Sequence, residues 1–154
     1  MLINVAMLGR QIAAMLGRLG QPEGESAYFR LSTRPLDQAL AGDDVARELL
    51  LAGGYPLRRA PARPRVTLVG MGAVMPELLA AGDALGDDVD VICVTSADLL
   101  FRALRARAGL GEGSAAILEE LLPPDRAAPL VTVLDGDPAA LAFLAGVNAT
   151  PLTP

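Results

Sequence analysis

The segment Arg65-Val-Thr-Leu-Val-Gly-Met-Gly72, followed by Pro76-Glu-Leu-Leu-Ala-Ala81, constrains the fold more than any other part of the chain. A β-branched apolar run meets a glycine turn and then an Ala/Leu-rich stretch, which is how an α/β unit opens. The same order returns at Val89-Asp-Val-Ile-Cys-Val-Thr-Ser96 and again at Pro129-Leu-Val-Thr-Val-Leu-Asp-Gly136, where Asp137-Pro138 opens the next helix. Strand and helix thus alternate three times, which predicts a parallel sheet with helices packed against it.

The length of 154 residues suits one compact domain of ordinary size plus a short lead-in. Hydrophobic residues make up 52% of the chain, more than a disordered segment carries, yet no apolar run approaches the roughly 20 residues a membrane helix requires. A soluble, cytoplasmic protein with no membrane partner is expected. The net charge of −5 argues against nucleic acid as a partner, since phosphates call for a clustered positive field and the arginines here are scattered. Cys93 is the single cysteine and lies inside a predicted strand, so there is no disulfide framework and no metal cluster to read. Histidine is absent. That removes the commonest general base near neutral pH and the commonest metal ligand, and leaves carboxylates, arginines and hydroxyls for any chemistry.

Val5, Leu8, Ile12, Met15, Leu16 and Leu19 recur at three- and four-residue steps and predict one amphipathic helix. Gly9-Arg10-Gln11 interrupts the apolar run, unlike the core of a signal peptide. A breaker-rich loop at Gln21–Ser26 leads to a predicted short strand, Ala27–Leu31, which Pro35 prevents from continuing as a central one. Asp43 or Asp44 can cap a helix carrying Val45, Leu49 and Leu50 that Gly53-Gly54 stops, and Tyr55-Pro-Leu-Arg58 reads as an edge strand. Arg59-Ala-Pro-Ala-Arg-Pro64 reads as a linker. The boundary falls within residues 38 to 64, giving a lead-in over 1–54 and a main domain over 55–154. Ser96, Ser114 and Asp137 are the expected caps of the later helices.

Each polar candidate admits a site and a plainer role. Gly70-Met-Gly72 could bring backbone N–H groups to a pyrophosphate, but Met75 stands where the full fingerprint has a third glycine, and a tight turn for close packing explains the pair as well. Asp135 and Asp137 lie where α/β sheets hold ligands, or simply form a capped turn. Arg102, Arg105 and Arg107 read as a solvated helix face, and Cys93 as a small core residue. Arg30 and Arg34 are the best polar candidates in the lead-in, unless they pair with nearby carboxylates. Ile12 is the candidate interface position, since the stripe it shares with Val5, Leu8 and Leu19 has no obvious mate within the chain.

Two separated strings, Gly24-Glu-Ser-Ala-Tyr-Phe-Arg-Leu-Ser-Thr-Arg-Pro-Leu-Asp-Gln38 and Pro129-Leu-Val-Thr-Val-Leu-Asp-Gly-Asp-Pro-Ala-Ala-Leu-Ala-Phe-Leu-Ala-Gly146, occur with Val66–Gly72 and Val91–Phe101 between them. Together they resemble the C-terminal part of the thiamine-diphosphate-dependent decarboxylating component of 2-oxoacid dehydrogenase complexes, in its transketolase-like, pyruvate dehydrogenase form. The resemblance runs from about Gly17 to Val147. It implies a three-layer α/β domain of transketolase C-terminal type, its sheet mostly parallel with an antiparallel edge and helices on both faces. It also implies a fragment: residues 1 to 37 are similar to the end of a pyrimidine-binding domain, and residues 55 onward to a C-terminal assembly domain without direct thiamine contacts.

The implied cofactors, thiamine diphosphate and magnesium, would belong to the parent enzyme, with none held by this chain. The implied partners are the rest of that enzyme, a second copy and the lipoyl acyl-carrier component. The family's Gly-Asp-Gly motif with paired asparagines is absent, as is its pyrimidine-activating glutamate in recognisable context. Asp137 stands where family members tend to have histidine, and the chain lacks their last strand and helix with a Phe-Gly-X-Ser motif. The expected function is therefore an assembly domain that is not catalytic alone. The alternatives are a small doubly wound nucleotide- or anion-binding module, or a stand-alone oligomerisation or regulatory domain.

Overall fold

The computed structural model describes residues 5–22, 24, 26–29, 31, 34, 35, 37 and 47–147. Four strands, β1 (Gly54–Arg58), β2 (Val66–Met71), β3 (Val89–Val94) and β4 (Leu130–Leu134), form one sheet in the order β1-β3-β2-β4. β2 is parallel to both β3 and β4, while β1 is antiparallel to β3. The α/β class, the mostly parallel sheet and the antiparallel edge strand at Tyr55–Arg58 are thus all present.

Strand periodicity explains the two cores. Leu68, Val91 and Cys93 project to one face, where Met75 and Leu78 of α3 (Met75–Leu85), Leu50 of α2 (Arg47–Ala52) and Tyr55 complete a buried cluster. Val69, Ile92 and Val94 project to the other, against α4 (Ala97–Arg107), α5 (Ala116–Leu121), α6 (Ala139–Ala142) and the 3-10 turn at Phe143–Gly146. β3 is buried along its whole length, as a central strand covered on both faces must be. Its Ser96 accepts a hydrogen bond from Leu99 N and caps α4, as the sequence predicts. Ser114 accepts from Ala116 N, and Asp137 Oδ1 from Ala139 N at 2.9 Å.

Two expectations are corrected. Ala27–Leu31 shows no strand among its described residues. Tyr28 and Leu31 both face outward, and a spacing of three cannot share one face of a period-two strand. Residues 59–64 are anchored and do not run free as a linker: Ala60 N donates to Asp90 Oδ1, and the Arg63 guanidinium donates to Ala127 O. α1 (Val5–Leu16) was expected to leave its apolar stripe without a mate within the chain, and Ile12 and Leu19 of that stripe do lie exposed. It packs on α2, with Gln11 buried and Gln11 Nε2 donating to Leu50 O at 3.1 Å. The side chain of Val5, like Asp43, Asp44 and Val45, lies outside the described residues.

Candidate functional site

The chain leaves β2 toward β3 on one side and arrives at β4 on the other, so the carboxyl ends of β2 and β4 flank the point where the strand order reverses. Open α/β sheets bind ligands at that crevice. Gly72 ends β2's turn at φ +94°, and a Cβ built on it would lie 3.4 Å from Asp135 Cβ. Asp135 N donates to Met71 O at 3.3 Å, and Asp137 Oδ1 accepts from Ala139 N in the turn before α6, whose N-cap is Pro138 and not the expected Asp137. The structure therefore brings Asp135 and Asp137 to the expected end of the sheet, where both also serve the backbone.

Arg34 joins them from the lead-in. Its guanidinium donates to Ala73 O at 3.3 Å and pairs with Glu77 at 2.5 Å, in the first turn of α3. The Arg34 hydrogen bond holds the Glu77 carboxyl below its ordinary value, and Glu77 in turn raises the Arg34 guanidinium. Arg34 thus has the carboxylate partner that the plainer reading assigns it. Arg30 lies outside the described residues. With Glu77, Asp135 and Asp137 at this end, the crevice carries more negative than positive groups, which is unfavourable for a phosphate.

Gly70 has a packing role. A Cβ there would run into Met75 Sδ and lie 2.5 Å from Leu78 Cδ2. The absent side chain lets α3 press against β2, and Met75 is wholly buried in the space so made. The residue that breaks the nucleotide fingerprint is thus the one that fills the glycine's place.

The other candidates are scattered. Arg102 pairs with Asp98 one helical turn away at 2.9 Å, Arg105 donates to Leu110 O, and Arg107 donates to Val147 O. Cys93 is buried opposite Tyr55 across β3 and β1. Burial, reinforced by Cys93, pushes the Tyr55 phenol far above its ordinary value, so it stays protonated. Among the described residues no group of three or more His, Cys, Asp or Glu side chains gathers as a metal site would require. No helix is long and apolar enough to cross a membrane. An open crevice of about 480 Å³ lies at the amino end of β4, bordered by Arg63, Pro129, Leu130 and Ala145.

Sequence reasoning missed the charged group inside the fold. Asp90, 1% exposed, accepts from Arg59 and Arg126, both at 2.9 Å, and from Ala60 N at 2.8 Å. Arg59 continues to Leu121 O and Glu120 O, tying the end of α5 to β3. One charged residue in an otherwise apolar strand was the available signal, since such a carboxylate must find cations. Arg58 was also passed over: it donates to Val89 O, Gly82 O and Gly86 O and pairs with Asp83, closing the end of α3.

On α1 the inward residues are Gln11 and, half-buried, Leu8, Ala14 and Met15. Ile12, Leu16 and Leu19 face away, 36%, 60% and 51% exposed. Gln11 Oε1, though buried, accepts from no described group. Arg10 and Arg18 flank the outward stripe. No protein-family model matches the chain, and no curated protein or solved structure matches it.

Proposed function

We propose that this chain is an assembly domain of a thiamine-diphosphate-dependent 2-oxoacid dehydrogenase decarboxylating component, pyruvate dehydrogenase-like, and that it does not catalyse alone. In this reading the transketolase-like C-terminal domain begins near residue 55, and the preceding residues end a pyrimidine-binding domain. The chemistry belongs to thiamine diphosphate and magnesium held by the parent enzyme, whose acyl product passes to a lipoyl carrier.

The observation that carries the reading is the outward stripe Ile12, Leu16 and Leu19 on α1, a helix that already uses its other side on α2. A helix apolar on two sides needs two partners. The antiparallel edge strand on a mostly parallel sheet is also what the resemblance implies. A nucleotide- or anion-binding module gains less support, because Met75 and Leu78 occupy the space beside Gly70 and Asp135 stands next to Gly72. A stand-alone oligomerisation domain would use the same stripe and differs only in what it assembles.

Light scattering tests the assembly role. The chain should measure as two or more copies at micromolar concentration, and Ile12→Glu should lower that mass, because a buried charge opposes the contact. A chain that stays monomeric, with Ile12→Glu unchanged from it, removes assembly from the function.

A further inference from the structure

Arg63 stands at the amino end of the sheet, opposite the end that carries Gly72, Asp135 and Asp137. Its Nε and Nη2 both donate to Ala127 O, at 2.9 and 2.6 Å. One carbonyl thus holds the side edge of the guanidinium and fixes the plane of the group before any ligand arrives. The end edge, formed by Nη1 and the second N–H of Nη2, presents two parallel donors. Among the described residues Arg63 makes no other hydrogen bond and no ion pair. Asp90, the carboxylate of the adjoining network, is already taken by Arg59 and Arg126, two guanidiniums on one anion.

Arg63 borders the open crevice of about 480 Å³, whose remaining walls are Ala127, Ala128, Pro129, Leu130 and Ala145. That volume is in the range of small-molecule sites, and the walls around the one cation are apolar.

We propose that the crevice binds a small aliphatic carboxylate, with the carboxylate on the end edge of Arg63 and the hydrocarbon on Pro129, Leu130 and Ala145. Two parallel N–H donors match the two oxygens of a carboxylate, which leaves none of its charge without a partner. A phosphate fits less well, since its further oxygens would meet apolar walls. The hydrocarbon in turn covers surface that water otherwise wets.

Titration of the full chain with hexanoate at neutral pH, followed by amide chemical shifts, tests the site. The amides of Ala128, Leu130 and Ala145 should move and saturate with a midpoint of about 1 mM or lower. Hexan-1-ol and inorganic phosphate should each need about tenfold more, because each satisfies one half of the site. Arg63→Gln should weaken hexanoate by about tenfold, and Arg63→Lys should restore little of it, since an ammonium has charge but no parallel pair of donors. Ala145→Asp leaves the Arg63 bonds in place and puts a negative charge on the exposed wall, so it should weaken hexanoate as well and carries the test if Arg63→Gln does not fold. Ile12→Glu should bind hexanoate like the unsubstituted chain, which separates failure of this site from failure of the α1 contact. Amides that do not saturate with hexanoate overturn the proposal. Hexan-1-ol or phosphate acting as strongly as hexanoate, or Arg63→Gln binding it unchanged, overturns it too.

Discussion

Asp90 ties together segments far apart in the chain. Its carboxylate receives Arg59 from the end of β1, Ala60 N from the following turn, and Arg126 from the 3-10 turn before β4. Burial pushes this carboxyl up, but the hydrogen bonds from Arg126, Ala60 and Arg59 outweigh it and hold the group below its ordinary value. A carboxylate with a depressed folded-state value is protonated more readily in the unfolded chain, so over that window the unfolded state binds more protons and stability rises with pH. The contribution is complete above the unfolded value of about 3.9 and is lost as pH falls through the lower folded value. Asp90→Ala should destabilise the fold by about 3 kcal/mol at neutral pH, because it leaves two partly buried guanidiniums without their anion. Urea denaturation checks both points: the variant's deficit should begin to shrink below about pH 4, where the unfolded chain's carboxyl takes up protons, and go on shrinking until pH has fallen through the lower folded value. A deficit independent of pH assigns the loss to packing instead.

Among the elements, the strands differ in what they contribute although their sequences look alike. Leu68 on β2 is 4% exposed under α3, so Leu68→Ala should cost roughly 2 kcal/mol or more. Val133→Ala on the half-buried edge should cost about half of that or less. Arg105→Ala, on the exposed side of α4, should change stability by no more than about 0.5 kcal/mol. Denaturation midpoints that reverse this order would refute the assignment of faces. The apolar runs of β2, β3 and β4 and the glycine turns after them made the α/β alternation legible. Sheet position was not legible, because Val131-Thr-Val133 and Val91-Ile-Cys93 carry similar β-forming residues, and only the crossover from β3 past β2 makes one an edge. The amphipathic pattern of α1 was legible too. That its inner face would rest on Gln11 was not, since the Leu50 carbonyl it meets lies 39 residues away.

At the scale of the molecule, the candidate site was legible only in its location. Gly72, Asp135 and Asp137 stand at the carboxyl ends of strands, as the α/β grammar requires, but the sequence could not tell that Arg34 and Glu77 would neutralise each other there. Local spacing does not encode a pairing between a lead-in loop and a helix 43 residues on. The proposed function makes this end of the sheet a scaffold whose cofactor lies elsewhere, and that has a direct thermodynamic consequence. Tight binding of thiamine diphosphate requires magnesium held by carboxylate and amide oxygens, and a pocket that encloses most of the cofactor. Gly72, Asp135 and Asp137 offer one open, exposed ledge, with Asp137 Oδ1 already accepting from Ala139 N. Titration calorimetry of the isolated chain with thiamine diphosphate and excess magnesium should therefore give no heat beyond dilution at micromolar protein. A dissociation constant in the low micromolar range would place the catalytic centre inside this chain and overturn its reading as an assembly domain.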